Sequence, residues 1–174
     1  MSFHGPDERY RRLTPELLSA LSADDVGEAI VHHVHWRVAG AWGREAEVIR
    51  TLPPGVRAIY ATWLVDAEVN NGGFNQYFFN SSGRYAGEAL AGYELFGAEE
   101  YVAVMRSAIA TFEVDRERLE PFYRAHTLES FSESYEHTDL REVDQRYYAL
   151  GDRIYHAWAV FVQEHPEAFA DKPS

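Results

Sequence analysis

The sequence predicts an all-α protein that folds as a single compact domain of several helices over residues 1–174. Apolar residues recur with the helical period along most of the chain, and capping or helix-breaking residues separate these stretches. The sequence contains no internal repeat, and nothing in it indicates a second domain. A chain of this length buries roughly 70% of the surface exposed by its unfolded form, so it can form a full core without disulfide bonds. The sequence contains no cysteine.

The first predicted helices are marked by the residues at their starts. Thr14 followed by Pro15 is typical of a helix N-terminus and predicts a short helix. Ser22 resembles part of a capping box and opens a second helix, whose apolar residues are four apart: Val26, Ile30, Val34 and Val38. A third short helix is predicted over residues 44–52, because the two prolines that follow disfavour helical geometry.

The central and C-terminal helices follow from longer apolar stripes. One predicted helix runs from Val56 to the Asn-Gly segment at residues 70–73, where Asn and Gly favour a helix end. Shorter helices are predicted over residues 74–80, 85–96 and 98–112. A long C-terminal helix is predicted over about residues 139–165, from the spacing of Leu140, Val143, Tyr147, Leu150, Ile154, Trp158, Phe161 and Val162. The last residues, 171–174, are expected to fray.

The charge of the chain limits its partners. Twenty-eight acidic residues against sixteen basic ones give a net charge of −12, which disfavours direct binding to nucleic acid or to anionic membranes. The longest apolar run, residues 157–162, is far too short to span a bilayer. The N-terminus resembles no secretory signal, so a cytoplasmic location is expected.

Signatures of catalysis and of cofactor binding are missing from the sequence. The nucleophile elbow, the phosphate-binding loop, the dinucleotide fingerprint and the zinc-protease motif are absent, and no acidic residue has a His three positions later, as di-iron bundles need. Glu28, His32 and His35 have a spacing that fits a metal site, but a polar helix face explains them better. Asp152 and His156 likewise read as a surface pair. The sequence therefore favours a protein that is not an enzyme and holds no metal or cofactor.

The densest run of unusual residues lies between Glu68 and Gly83. Amides, glycines and aromatic residues alternate there, and the two central glycines allow the chain to reverse. The run reads either as a structural turn or as a polar ligand pocket built from Glu68, Asn71, Gln76 and Asn80. The residues of interest in it are Glu68, Asn71, Gly72, Gly73, Phe74, Gln76, Phe78, Asn80 and Gly83.

This run resembles a bacterial family of domains of unknown function whose characterised member is described as a DNA mimic. The resemblance rests on Glu68, the Asn-Gly-Gly-Phe run with Gln76, and the residues up to Gly83, and weaker similarity covers residues 52–112. It implies an all-helical domain without established catalysis. For the characterised member it also implies a carboxylate-rich surface that binds a DNA-binding protein in place of DNA.

Mimicry of DNA requires acids that cluster, because 28 acids spread evenly over the surface are too sparse to match the charge density of a duplex. One segment, residues 113–144, carries such a cluster with a net charge of −6. Its acids are Glu113, Asp115, Glu117, Glu120, Glu129, Glu133, Glu136, Asp139, Glu142 and Asp144. Three of them are spaced to form a row if the chain is helical there: Glu129, Glu133 and Glu136.

The leading hypothesis is therefore an acidic protein-interaction domain whose 113–144 surface occupies the DNA-binding surface of a basic regulator. One alternative is an enzyme or ligand-binding domain that uses the polar pocket at Glu68. Another is an immunity-type or structural partner of one cognate protein. The sequence also leaves room for a homodimer, with a seam drawn from the aromatic residues Tyr10, Phe122, Tyr123 and Phe169.

Overall fold

Helices make up all the regular secondary structure of the computed structural model, which describes residues 6–171. Over this range the prediction of an all-α protein is confirmed, since no strand is present. The α-helices, in order, are α1 Pro15–Ala20, α2 Ala23–Val38, α3 Glu45–Arg50, α4 Pro54–Phe79, α5 Ala86–Leu95, α6 Glu99–Ala125, α7 Leu128–Ser134, α8 Arg141–Tyr148 and α9 Arg153–Glu164. Short 3₁₀ turns lie at Glu8–Tyr10, Ser81–Tyr85, Tyr135–His137 and Pro166–Ala168.

Contacts between residues fall into two units. The first contains the described residues up to Tyr60 together with those from Asp152 onward, and the second is Ala61–Gly151. Helix α4 begins in the first unit and continues into the second. None of the helices within residues 6–171 is both long enough and apolar enough to cross a bilayer.

The first unit is built on the packing of α2 against α9. The predicted apolar face of α2 is buried for most of its length, and Trp158 of α9 is buried with it. Gly27 lets the two helices approach closely, because a Cβ atom there would lie 3.0 Å from the Trp158 ring. Beyond α9, the buried ring of Phe169 lies against Gly55 at the start of α4.

The C-terminal segment differs from its prediction. Asp171 is held in place, since it accepts a hydrogen bond from the Leu13 N–H and forms an ion pair with Arg37. Only residues 172–174 of the predicted frayed end lie outside the described residues. Tyr10 and Phe169 are buried in the first unit and are therefore not available for a dimer seam.

Aromatic side chains fill the core of the second unit. Tyr93 of α5 stacks on Tyr101 of α6 with ring centroids 5.2 Å apart, and Gly97, with φ of +64°, forms the corner between these helices. Tyr147 of α8 packs edge-on against Tyr101 and Phe74. Through Tyr147, helix α8 thus contacts both α6 and the part of α4 that carries Phe74.

The predicted long C-terminal helix is wrong, because the chain forms two helices, α8 and α9, in its place. Helix α8 ends in a tight turn closed by the left-handed residue Gly151, with φ of +59°. Leu150 and Ile154 are both buried on either side of this turn, so the apolar spacing continues through the break and conceals it. Helix α6 also extends beyond the predicted end near residue 112, to Ala125.

Candidate interaction surface

The glycine pair of the Glu68–Gly83 run breaks helix α4. Gly72 and Gly73 have non-helical backbone angles, and Gly73, at φ +72° and ψ 179°, is in a region open almost solely to glycine. The chain changes direction there before a short helical stretch ending at Phe79. We name this feature, residues 68–83, the glycine turn. Its break matches the helix end and short helix that the sequence predicts for this run.

Glu68 accepts three hydrogen bonds within the glycine turn. Its carboxylate accepts hydrogen bonds from Gln76 at 2.7 Å, Asn80 at 2.8 Å and Ser82 at 2.9 Å. Three donors satisfy most of the acceptor capacity of a carboxylate, so Glu68 closes the turn on itself. Asn71 is exposed and does not join this network. The geometry favours the structural interpretation of the run over the polar ligand pocket.

Asp144, one of the ten predicted surface acids, packs against the glycine turn. Its Oδ1 accepts a hydrogen bond from the Phe74 N–H at 2.7 Å, and its carboxylate fits against Gly73, where a side chain would collide with it. Burial raises the pKa of Asp144 above its ordinary value, and the hydrogen bond from Phe74 opposes that rise. Asp144 therefore acts as a link within the fold.

The glycine turn is also hydrogen-bonded to the middle of the acidic segment, residues 113–144. Asn75 donates a hydrogen bond to the Ser134 hydroxyl at the end of α7 and accepts one from Tyr123. Tyr135, just after α7, donates a hydrogen bond of 2.5 Å to the carbonyl of Gly72. Helix α7 and the 3₁₀ turn after it are thus bonded to the turn at two points.

The N-terminus of helix α7 is stabilised by side-chain capping. The Thr127 hydroxyl accepts from the Ser130 N–H, and Ser130 accepts from the Thr127 N–H, which forms a reciprocal capping box. The ring of Phe131 packs on Phe79 with centroids 5.0 Å apart. This inward face leaves Glu129 and Glu133 of α7 pointing to solvent.

Asp115 is a second predicted surface acid that is bonded to the fold, and it is buried. Only 3% of it is exposed, it pairs with Arg118, and it accepts a hydrogen bond from the Asp139 N–H at 3.3 Å. Because a buried carboxylate needs such partners, this residue is committed to the fold. The sequence counts Asp115 and Asp144 among the ten acids of the interaction surface, but the structure buries the first, half-buries the second and bonds both to the fold.

Two more of the ten acids are exposed but neutralised. Glu113 pairs with Arg116 at 3.3 Å, and Glu120 pairs with Arg124 at 2.6 Å, both along α6. Exposed pairs of this type add little to stability, but each removes a net charge from the surface.

Six of the predicted acids remain exposed and form no ion pair or hydrogen bond through their carboxylates within the described part of the chain. They are Glu117, Glu129, Glu133, Glu136, Asp139 and Glu142. We name this set the free acids. One cation of the same segment, Arg141, is likewise exposed and unpaired among the described residues. Glu136 follows α7 in the 3₁₀ turn, so the predicted row is helical only across Glu129 and Glu133.

Apolar side chains stand beside the free acids, and the sequence analysis missed them. Val114, three residues before Glu117, is 85% exposed, and Leu128, immediately before Glu129, is 86% exposed. Side chains this exposed are open to contact with a partner. Their signal in the sequence is weak, because a single apolar residue reads equally well as part of a core.

The other candidates of the sequence analysis are not supported as sites. His32 accepts a hydrogen bond from the Asp7 N–H and lies 3.6 Å from Glu28, and no group of metal-binding side chains occurs within residues 6–171. Phe122 stacks on His137 and Tyr123 on Phe112, so both rings have partners inside the second unit.

Comparisons with known proteins give one result. A model of the family described as "DMP19-like protein" matches residues 50–165, well over half of the chain. The matched segment includes the whole glycine turn and all ten acids of residues 113–144. No curated protein and no solved structure matches the chain.

Proposed function

Because the chain belongs to the DMP19-like protein family, we propose that it is a non-enzymatic, acidic protein that occupies the DNA-binding surface of a basic regulator in place of DNA. The observation that carries the proposal is the set of six free acids between Glu117 and Glu142. A basic DNA-binding surface requires anions that are not already paired, and these carboxylates meet that requirement.

The spacing along α7 supports the proposal. Carboxylates four residues apart on a helix are separated by about 6 Å. Two steps along one strand of duplex DNA advance about 7 Å. The separation of Glu129 and Glu133 is therefore close to the axial distance between every second phosphate of one strand.

The fastening of α7 to the glycine turn supports the proposal as well. A surface that imitates a stiff polymer gains affinity when its charges are held in place before binding. The capping box at Thr127 and the bonds of Ser134 and Tyr135 hold the backbone that carries Glu129, Glu133 and Glu136. A regulator of DNA binding acts where the DNA is, so the proposal includes a bacterial cytoplasmic location.

The experiment is affinity capture from a host-cell lysate with immobilised protein, followed by elution with duplex DNA. A captured protein whose DNA-binding surface is occupied should be released when duplex DNA competes for that surface, so elution by DNA tests mimicry. The test variant changes Glu129, Glu133 and Glu136 to Gln. The matched control changes Asp24 to Asn and Glu47 and Glu164 to Gln, three exposed acids of the first unit with the same total change in charge.

We expect the wild type and the control to release the same basic proteins on addition of DNA, and the test variant to retain at least tenfold less of them. Equal retention by the test variant and the control would show that the free acids do not bind the partner. Capture that DNA does not displace would favour the alternative of one cognate partner unrelated to DNA.

A further inference from the structure

A pocket of about 900 Å³ lies in the first unit, within the range of small-molecule sites. It is formed by the N-terminal 3₁₀ turn, the end of α2, the connection from α3 to α4, and the segment after α9. In a chain with a net charge of −12, this pocket is lined by four of the sixteen basic residues: Arg9, Arg11, Arg12 and Arg37.

Two of these arginines are held by acids of the fold. Arg9 binds the Asp7 carboxylate through Nε at 2.9 Å and Nη2 at 2.6 Å. Arg37 binds Asp171 through Nη1 at 2.7 Å. Arg9 and Arg37 are therefore occupied by acids of the fold. The guanidinium groups that can bind a ligand in the pocket are those of Arg11 and Arg12.

Arg11 and Arg12 retain most of their hydrogen-bonding capacity. Arg11 lies over the ring of Trp36 at 5.3 Å, and its nearest carboxylate, Glu8, is 3.9 Å away, which is too far for a hydrogen bond. Arg12 forms no hydrogen bond or ion pair with any other residue in the described range 6–171. Stacking of a guanidinium on an aromatic ring leaves its N–H edges open for bidentate binding of a carboxylate or phosphate.

The remaining lining indicates the size and type of ligand. Leu52, Pro53, Pro54, Ala168 and Ala170 supply an apolar wall. Three carboxylates also line the pocket, those of Glu8, Glu167 and Asp171, and Asp171 is already bonded to Arg37 and to the Leu13 N–H. Fixed acids beside the arginines disfavour a long polyanion such as DNA, and they leave room for one compact anionic group.

We propose that this pocket binds a small organic anion, with a phosphate or carboxylate held by Arg11 and Arg12 and an apolar body against Leu52, Pro53 and Pro54. The site is separate from the free acids, because it lies in the first unit and they lie in the second. It does not depend on the proposed function.

Isothermal titration of the full chain with phenyl phosphate, benzoate and benzyl alcohol tests the site. The three probes share an aromatic body, and the first two distinguish a phosphate ligand from a carboxylate ligand. We expect at least one anion to bind and benzyl alcohol to give no heat. Absence of binding for both anions up to ~10 mM, or equal binding of the alcohol, would overturn the proposal.

Variants identify the residues that bind the anion. Arg11→Gln and Arg12→Gln should each weaken binding about tenfold, since each removes a charge-assisted hydrogen bond. Arg44→Gln is the matched control, an exposed arginine of the first unit outside the pocket, and should leave affinity unchanged. Arg12 is exposed, so its variant should melt as the wild type does. Unchanged affinity in both test variants would refute the assignment, and capture by the free acids would be unaffected by that result.

Discussion

Gly73 is the position at which a single added methyl group should cost the fold most. Its backbone, at φ +72° and ψ 179°, is almost closed to residues with a Cβ atom, which sets a cost of about 1–3 kcal/mol for Gly73→Ala. The new Cβ would also lie 2.6 Å from Oδ2 and 2.9 Å from Cγ of Asp144. The carboxylate must therefore move.

Movement of Asp144 breaks its 2.7 Å hydrogen bond from the Phe74 N–H. The loss of such a bond in a buried turn costs about 1–3 kcal/mol. The two effects together predict that Gly73→Ala lowers the free energy of unfolding by about 2–6 kcal/mol. In a chain of this length that corresponds to a melting temperature roughly 5–20 °C lower.

Urea and thermal unfolding followed by circular dichroism measure this loss. Gly97→Ala is the control, because Gly97 also has a positive φ, +64°, but open space where its Cβ would lie. We expect Gly97→Ala to cost only about 1–2 kcal/mol. In an Asp144→Ala background, Gly73→Ala should lose the part of its cost that arises from the collision. An equal cost with and without the Asp144 carboxylate would refute the reasoning.

Three further changes test other parts of the structure. Phe169→Ala should cost about 3–5 kcal/mol in urea unfolding, because the ring is completely buried, whereas Trp42→Ala at an 89% exposed position should cost less than about 0.5 kcal/mol. Glu68→Ala should cost about 1–3 kcal/mol in the same assay, because three donors lose their acceptor. Burial lowers the pKa of His33, so the folded state resists its protonation and stability falls as the pH drops below the unfolded value of 6.5. His33→Asn, which does not titrate and keeps an N–H for the Tyr10 carbonyl, should flatten that fall in melting curves recorded against pH.

Local patterns in the sequence were sufficient for helices α1, α2, α3 and α5 and for the break in α4. The apolar face of α2 and the stop at the glycine pair depend on neighbours within a few residues, and the structure contains both. The break at Gly151 was missed although its cause is also local. Buried residues on both sides of it, Leu150 and Ile154, keep the helical spacing, so periodicity alone indicates one continuous helix.

The candidate surface was predicted only in part, because a sequence does not show whether an acidic side chain faces solvent or a partner within the fold. Asp115 and Asp144 count as acids in the composition of the segment, yet each accepts a hydrogen bond from a backbone N–H far along the chain: that of Asp139, 24 residues away, and that of Phe74, 70 residues away. Only the folded chain separates these two carboxylates from the free acids. The arginine pocket was missed for the same reason, since it is lined by segments that are distant in sequence.

The bonds from Asn75 to Ser134 and from Tyr135 to Gly72 have a consequence for genetic studies of this family. Replacing Asn75 by another uncharged residue would displace the backbone of α7. The positions of the surface carboxylates would then change although no charged residue had been altered. Screens for loss of function would then score Asn75 as if it touched the proposed regulator. Suppressor mutations should arise in α7 and at Tyr135. Such pairs would show that Asn75 positions the helix that carries the acids and does not itself contact the partner.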